Sequence, residues 1–335
     1  MIKILCADAL EGLRTLSNDS VSMCVTSPPY YGLRDYGNAG QIGIEDSPEQ
    51  YIQKLIAVFR EVRRVLRPDG TLWLNIADSY AGSGKGIGRK PTHCKHSYQI
   101  PADSAAAAMP TTWNAIKPKD MIGIPWMLAF ALRADGWYLR SDIIWQKPNA
   151  MPESAKDRPT RVHEYIFLLS KSSRYYYDAE AVKEPAVGFY NAAPAGSAGT
   201  GKPNARRRGN SRTFRGGGAY THDRAQNNSA SVKRESHGLA PNESGKRNRR
   251  SVWTVATRPY KGAHFATYPE ELVRPCILAG SRPGDTVLDP FAGSGTTGAV
   301  AAQEGRDFIG IEINPDYCEI IRQRLDACCQ KGAKP

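Results

Sequence analysis

Short apolar runs typical of β-strands alternate along this chain with segments in which apolar residues recur at helical spacing. The strand-like runs are residues 2–5, 21–26, 71–77, 139–145, 165–169, 286–288 and 308–311. Helical spacing covers residues 50–66, 125–135 and 269–279, and two further helices begin near residues 295 and 316. Strands that alternate with helices predict an α/β fold, in which a mostly parallel sheet carries helices on both faces.

Two long segments interrupt this alternation. Residues 80–119 are rich in Gly, Pro, Ser and Ala, and residues 178–250 contain many Asn and Ser with few residues able to form a core. We therefore expect residues 1–177 and 251–330 to form one domain, with 80–119 as a long loop inside it. Residues 178–250 are expected to be an inserted, partly flexible region.

Positive charge is concentrated in the inserted region. The chain of 335 residues has a formal net charge of +12, and residues 201–250 contain 13 Lys and Arg against 3 acidic residues. A localised basic segment on a nearly neutral body indicates a polyanionic partner, most simply nucleic acid. A basic loop without a specific target is the other interpretation that composition allows.

Composition also limits the class of protein. No apolar run approaches the roughly 18–20 residues that a membrane span needs, and the first residues do not form a secretory signal, so a cytoplasmic protein is expected. The seven cysteines are irregularly spaced and include no C-x-x-C pair, which predicts neither a disulfide framework nor a zinc ribbon. His93, Cys94 and His96 lie together but are too few for a metal site, and we expect no bound metal.

A glycine-rich turn follows the strand predicted at residues 286–288, with the sequence DPFAGSGTTG from Asp289 to Gly298. Glycines let the backbone approach a ligand closely, and N–H groups at a helix start favour a negative group. Glu312 ends the next predicted strand, where its carboxylate can accept hydrogen bonds from two ribose hydroxyls. The turn is compatible with a nicotinamide cofactor or with no ligand, but its D-P-F-x-G-x-G form favours S-adenosylmethionine.

A proline motif, TSPPY at residues 26–30, follows the strand predicted at 21–26. The motif resembles motif IV of the DNA amino-methyltransferases, whose substrate is an exocyclic amine. Such an amine is a poor nucleophile because its lone pair is delocalised into the ring. Acceptors at Ser27 Oγ and the Pro28 carbonyl can draw that nitrogen toward tetrahedral geometry. Pro28 and Pro29 stiffen the backbone, and Tyr30 offers an aromatic face to a base flipped out of a duplex. Taken alone, the motif is also compatible with a turn beside an exposed tyrosine.

Together these segments resemble motif I (D-P-F-x-G-S-G-T-T) and motif IV ([DNS]-P-P-[YFW]) of the DNA amino-methyltransferases. The resemblance implies a Rossmann-like methyltransferase sheet, seven-stranded and mostly parallel, and S-adenosyl-L-methionine as cofactor. The order of the motifs is similar to that of the β class, whose target-recognition region lies between motifs VIII and X. Residues 161–178 and 264–272 resemble those two motifs, so the basic insertion falls between them.

The resemblance also assigns the site residues. The residues implied to bind the cofactor are Asp8, Phe265, Asp289, Phe291, Gly293, Ser294, Gly295, Thr296, Thr297 and Glu312. The residues implied to hold the target base are Ser27, Pro28, Pro29 and Tyr30. The candidates for contact with double-stranded DNA are Arg206, Arg207, Arg208, Arg212, Arg215, Lys246 and Arg247, followed by Lys85, Arg89 and Lys90.

Ser27 bears on the target base. Serine at this position is typical of N4-cytosine enzymes and aspartate of N6-adenine enzymes, so the resemblance implies site-specific methylation of cytosine N4, with adenine N6 as the alternative. Such an enzyme would belong to a restriction-modification system, with a cognate endonuclease as a candidate partner and either a monomer or a homodimer as its state. A nicotinamide-dependent oxidoreductase would explain only the glycine turn, and a non-catalytic DNA-binding protein would leave the proline motif without a role.

Pro275-Cys276 needs separate consideration, because it is similar to the Pro-Cys of cytosine-C5 methyltransferases. The pair lies inside a helical pattern and not in a loop at a strand end. We therefore predict that Cys276 is a core residue without a catalytic role.

Overall fold

The computed structural model describes residues 1–32, 40–81, 116–117, 119–186, 245–257 and 268–332. The chain separates into two compact units, one comprising Met1–Val182 with Arg249–Pro335 and the other Lys183–Asn248. The strands of the first unit are β1 (Ile2–Cys6), β2 (Val21–Thr26), β3 (Leu66–Ile76), β4 (Tyr138–Gln146), β5 (His163–Ser170), β8 (Val252–Thr254), β9 (Thr286–Asp289) and β10 (Asp307–Glu312). Its helices are α1 (Ala9–Arg14), α2 (Pro48–Val65), α3 (Ile124–Ala134), α4 (Glu270–Gly280), α5 (Thr296–Gln303) and α6 (Pro315–Gly332).

One sheet contains all the strands of the first unit, in the order β1-β10-β9-β2-β3-β5-β4-β8. Strand β5 is antiparallel to both of its neighbours, and every other adjacent pair is parallel. The predicted α/β fold with a mostly parallel sheet is confirmed, but the sheet has eight strands among the described residues, whereas seven were predicted. The additional strand is β8, which buries only Trp253 and therefore lacks a recognisable apolar pattern.

Helix α2 leads directly into β3, the strand that pairs with β2. Ser47 caps the N-terminus of α2 through the backbone N–H of Gln50, and the helix ends at Val65. The sequence predicted helical spacing to residue 66 and a strand from residue 71, but β3 begins directly at Leu66. The register with β2 shifts between Val21 and Met23, so residues 67–70 form an irregularity inside the strand.

Side chains on the two faces of the sheet form two separate hydrophobic cores. On one face α1, α2 and α3 cover strand residues such as Cys24 and Leu72. On the other face α4, α5 and α6 cover the adjacent residues Met23 and Trp73, as the twofold alternation of strands requires. Helices therefore lie on both faces, as predicted. Cys276 is 2% exposed in the second core, which confirms that it is a core residue.

The second unit contributes a short antiparallel ladder between β6 (Glu184–Pro185) and β7 (Lys246–Arg247). Arg247 Nε donates a 2.9 Å hydrogen bond to Glu184 Oε1. The other predicted DNA-binding residues lie outside the described residues, as do residues 82–115 with the histidine-cysteine cluster. Within the described ranges, no helix is long and apolar enough to cross a membrane, and no three His, Cys, Asp or Glu residues are grouped to hold a metal.

Candidate active site

Both sequence motifs lie at the carboxyl ends of neighbouring parallel strands. The proline motif follows β2 and the glycine turn follows β9, and these two strands pair in parallel through Cys24 and Leu288. Strands β10 and β1 continue the same edge, where Glu312 pairs with Cys6. The carboxyl ends of strands in open α/β sheets are where ligands bind, so the fold brings the predicted base-holding and cofactor-binding segments together.

A buried hydrogen bond joins the two motifs. Thr26 Oγ1 donates to Asp289 Oδ1 at 2.7 Å, and both residues are almost completely excluded from solvent. The bond connects residues 263 positions apart in the sequence. It fixes the last residue of β2, just before Ser27, against the last residue of β9.

Asp289 accepts further hydrogen bonds from the protein on both carboxylate oxygens. Its Oδ1 also accepts from the Phe291 N–H at 3.1 Å, and its Oδ2 accepts from Thr297 Oγ1 at 2.6 Å and Tyr268 Oη at 3.0 Å. Burial raises the pKa of Asp289, and these hydrogen bonds oppose that rise because they stabilise the charged form. The Asp289 carboxylate therefore connects the glycine turn, α5 and Tyr268 with Thr26 at the end of β2.

The glycine turn depends on two residues with positive φ. Gly293 has φ +53° and Gly295 has φ +76°, values that side-chain-bearing residues rarely adopt, and Gly295 is the N-cap of α5. Gly298 has a different role, because a Cβ there would come within 2.6 Å of the Phe308 ring. The third glycine of the G-x-G-x-x-G pattern is therefore required for packing between helix and strand.

The side chains of the turn face the protein. Ser294 and Thr296 are nearly buried, and Arg324 Nη1 donates to the Ser294 carbonyl and to Thr296 Oγ1, both at 3.1 Å. Thr297 is fully buried and bonded to Asp289. Of the predicted cofactor residues in the turn, these three leave only their backbone groups for a ligand.

Acidic side chains stand at the ends of the next two strands. Glu312, at the end of β10, accepts from the Gly293 N–H on Oε2 and from the Asn314 N–H on Oε1, each at 2.9 Å. Burial raises its pKa, and these backbone hydrogen bonds oppose the rise. Asp8 follows β1 and caps α1 through the backbone N–H of Leu10 at 2.9 Å. Phe265, the remaining predicted cofactor residue, lies outside the described residues.

This edge fits a nucleoside cofactor. Gly310 lies inside β10 beneath the turn, where a Cβ would come within 3.2 Å of Ala292 Cβ and 2.8 Å of the Phe308 ring. The close approach of strand and turn brings the Gly293 N–H to the Glu312 carboxylate. This carboxylate lies at the strand end and is a group able to accept hydrogen bonds from ribose hydroxyls. The residues present therefore match the cofactor that the sequence implied.

The proline motif is held by contacts on both sides. Tyr51 Oη, from buried α2, donates to the Pro29 carbonyl at 2.8 Å. Tyr30 Oη lies 3.4 Å from Ser27 Oγ, accepts from Asn75 Nδ2 at 2.9 Å and donates to Glu164 Oε2 at 2.6 Å. Tyr30 is therefore held in place by its hydroxyl. This differs from the alternative interpretation of the motif as a turn beside an exposed tyrosine.

Four residues of this region were not among those predicted from the sequence: Tyr51, Asn75, Lys147 and Glu164. Lys147 forms an ion pair with Glu164 and lies 4.3 Å from the centre of the Trp145 ring. Asn75 could have been noticed as a polar residue within an apolar strand, and Glu164 as the acid inside the segment similar to motif VIII. Nothing in their spacing, however, indicates that they meet.

Comparison with known proteins decides the family. The family model N6_N4_Mtase, described as DNA methylase, matches residues 21–323. The chain belongs to the N6/N4 DNA methylase family. It is therefore a DNA methyltransferase, as the motif resemblance predicted, and the oxidoreductase interpretation of the glycine turn is wrong. The N6/N4 DNA methylases are S-adenosyl-L-methionine-dependent enzymes.

Similarity to relatives within the N6/N4 DNA methylases extends over most of the chain. This chain is 48% identical over 318 residues to the type II methyltransferase M.Cfr9I of Citrobacter freundii. The match covers 95% of this chain and 85% of that protein. The PvuII DNA methyltransferase, named as cytosine-N4-specific, shares the fold with a TM-score of 0.59 at 17% identity, covering 97% of this chain and 86% of that one. A Thermus thermophilus protein named as a DNA modification methylase, solved in complex with S-adenosyl-L-methionine, has a TM-score of 0.55 at 21% identity and covers 98% and 96% of the two chains.

Proposed function

We propose that this protein transfers a methyl group from S-adenosyl-L-methionine to cytosine N4 in double-stranded DNA at a specific sequence. The observation that supports the proposal is Ser27. It is the first residue of the proline motif after the strand, and the Thr26–Asp289 hydrogen bond holds it beside the glycine turn. A hydroxyl at this point can accept one N–H of an exocyclic amine.

The cofactor would be held at the carboxyl edge of β9, β10 and β1. When bound, S-adenosyl-L-methionine supplies an electrophilic methyl group on a sulfonium. Glu312 would accept hydrogen bonds from the ribose hydroxyls, and the backbone of residues 291–297 would surround the methionine portion. Asp8 would contact the adenine amino group, while Asp289 would act beneath them by holding the turn in its shape. The Thermus neighbour, solved with this cofactor, supports S-adenosyl-L-methionine as the ligand of the fold.

The target base would be received by the proline motif. Ser27 Oγ and the Pro28 carbonyl would accept hydrogen bonds from the two N–H groups of the amine. These hydrogen bonds would direct the nitrogen lone pair away from the ring plane. The Tyr30 ring would stack on the base, which must leave the duplex to reach this site. Tyr51 supports this arrangement, because its hydrogen bond to the Pro29 carbonyl keeps the prolines from moving when the base enters.

We assign DNA contact to the basic region, residues 178–250, as a target-recognition insertion. Lys246 and the partly neutralised Arg247 are its candidates within the described residues. Neutralising phosphates releases counterions, so binding would weaken steeply with salt. The relative M.Cfr9I is named as a type II methyltransferase, which supports a cognate restriction endonuclease as partner. Such a pairing would place the enzyme in the cytoplasm with the DNA that it protects.

Nucleoside analysis of modified DNA tests the proposal directly. The protein and its Ser27→Ala variant would be expressed in cells whose DNA lacks both amino-methylated bases. We expect N4-methylcytosine in DNA from cells with the unchanged protein and little from cells with the variant. Folded, cofactor-binding protein that leaves neither modified nucleoside would exclude the function. Base-resolution sequencing of the same DNA would then identify the recognition sequence.

Methylation of adenine N6 is the alternative. The N6/N4 DNA methylases include both activities, and the link between the residue at position 27 and the base has exceptions. N6-methyladenine as the single product in the nucleoside analysis would select this alternative and leave the assigned roles of the glycine turn unchanged.

A further inference from the structure

A charged pair is enclosed next to the proline motif. Glu164 is 8% exposed near the start of β5, and Lys147 follows the end of the antiparallel neighbour β4. The two side chains form an ion pair. Removing two charges from water is unfavourable unless each charge has a partner and further hydrogen bonds. The remaining hydrogen bonds of Glu164 join it to Tyr30 and Asn75, the two side chains next to Ser27.

Tyr30 is the first of these partners. Its hydroxyl donates to Glu164 Oε2 at 2.6 Å, a short bond of the kind formed to an ionised carboxylate. Burial and the nearby charge of Glu164 raise the pKa of Tyr30, so its hydroxyl stays protonated and remains a donor. A ring fixed at its far end cannot turn away from a base that stacks on it.

Asn75 is the second partner. Its Nδ2 is 3.0 Å from Glu164 Oε2, 2.9 Å from Tyr30 Oη and 3.4 Å from Ser27 Oγ. Rotating the amide by 180° would bring Oδ1 against the carboxylate, so Glu164 dictates which amide atom faces Ser27. The side chain tolerates this orientation although its buried Oδ1 has no hydrogen-bond partner within the described residues. With the Asn75 N–H next to Ser27 Oγ, the Ser27 hydroxyl is favoured to donate its hydrogen toward Tyr30 Oη. Its oxygen can then accept a hydrogen bond from the target amine.

We infer that Glu164, with its charge balanced by Lys147, is a positioning residue that holds Tyr30 and Asn75 around Ser27 for methyl transfer. This inference rests on the proposed function and adds a residue outside both sequence motifs. We assign Glu164 no contact with the base. It acts through the Tyr30 hydroxyl and the Asn75 amide, so its effect depends on those groups being present.

Substitutions at Glu164 and Tyr30 test the inference through single-turnover methylation at saturating DNA. Loss of a charge-assisted hydrogen bond predicts that Glu164→Gln lowers the rate about 10- to 100-fold, while the Kd for S-adenosyl-L-methionine stays within about 2-fold. The fluorescence of 2-aminopurine placed at the target position should show a less ordered flipped base. Glu304→Gln, which breaks a half-buried ion pair with Arg274 between α4 and α5, is the matched control and should leave the rate unchanged.

A double-mutant cycle separates positioning from general damage. Because Glu164 acts largely through the Tyr30 hydroxyl, Glu164→Gln should cost much less in a Tyr30→Phe protein than in the unchanged one. Fully multiplicative losses, or an unchanged rate in Glu164→Gln, would overturn the inference. If Glu164→Gln does not fold, Lys147→Met should lower the rate and Lys147→Arg should largely restore it, and equal activity of both would overturn it. An unchanged protein that methylates nothing would instead refute the proposed function.

Discussion

Thr26 Oγ1 and Asp289 Oδ1 form a 2.7 Å hydrogen bond that connects the end of the proline motif's strand with the start of the glycine turn. The bond is buried at the carboxyl ends of β2 and β9, which run side by side in the sheet. The distance between the base-holding and cofactor-binding segments is therefore set by the pairing of two neighbouring strands. A change at either residue should therefore affect both segments.

Replacing Thr26 with Val tests this connection. The substitution keeps the shape of the side chain but removes a donor to a buried carboxylate. We expect the free energy of unfolding to fall by about 1–3 kcal/mol, because part of the Asp289 carboxylate loses a partner. Denaturant unfolding measures this loss, and single-turnover methylation should slow in parallel. Thr26→Ser, which keeps the hydroxyl, is the control and should retain most of the rate, whereas unchanged stability in Thr26→Val would contradict the role of the bond.

Ser27→Ala removes the hydroxyl that would accept an N–H of the target amine. Removing one preoriented hydrogen-bonding group from an active site typically lowers kcat about 10²- to 10³-fold, and we expect a loss of that size. The effect should appear in the transfer step, measured with radiolabelled cofactor in a single turnover, while cofactor affinity stays the same. A comparable loss in cofactor affinity would show that Ser27 serves the cofactor instead of the base.

Cofactor binding should depend on pH through Glu312. Burial raises the pKa of this carboxyl, so it takes up a proton at a higher pH than an exposed glutamate does. The protonated form is a weaker acceptor for ribose hydroxyls, and affinity should fall as the pH is lowered through that raised pKa. Calorimetric titration with S-adenosyl-L-methionine at several pH values measures the effect. Glu312→Gln should bind about 10-fold more weakly near neutral pH and lose the pH dependence. An identical pH profile in the variant would assign the titration to another group.

Gly298→Ala tests the packing role of the third glycine. A Cβ at this position would come within 2.6 Å of the Phe308 ring, and overpacking of this kind costs about 1–3 kcal/mol. We expect a lower free energy of unfolding, and the second substitution Phe308→Leu should restore part of it. Thermal or denaturant unfolding of both variants provides the measurement. Normal stability with lost cofactor affinity would indicate that Gly298 contacts the ligand.

Local patterns predicted most of the sheet and both motifs, but not the contacts between distant elements. Strand β8 escaped prediction because three residues with one buried side chain, Trp253, form no periodic pattern, and pairing with β4 alone defines it. Ser294 and Thr296 lie nearly buried in the glycine turn. Arg324 on α6, about 30 positions away, donates to the Ser294 carbonyl and to Thr296 Oγ1, and no local pattern indicates this contact.

The sequence by itself determined the chemistry that this protein can perform and the family to which it belongs. Proline restricts the backbone and glycine permits positive φ, so TSPPY and DPFAGSGTT specify the shapes of their turns locally. Only the tertiary structure decided how these groups meet. Parallel pairing of β2 with β9 brings Thr26 to Asp289. Antiparallel pairing of β5 with β3 and β4 brings Glu164 to Asn75 and Lys147, and Asn75 and Glu164 contact Tyr30. Those contacts depend on strand order and register, which long-range packing sets and no local pattern encodes.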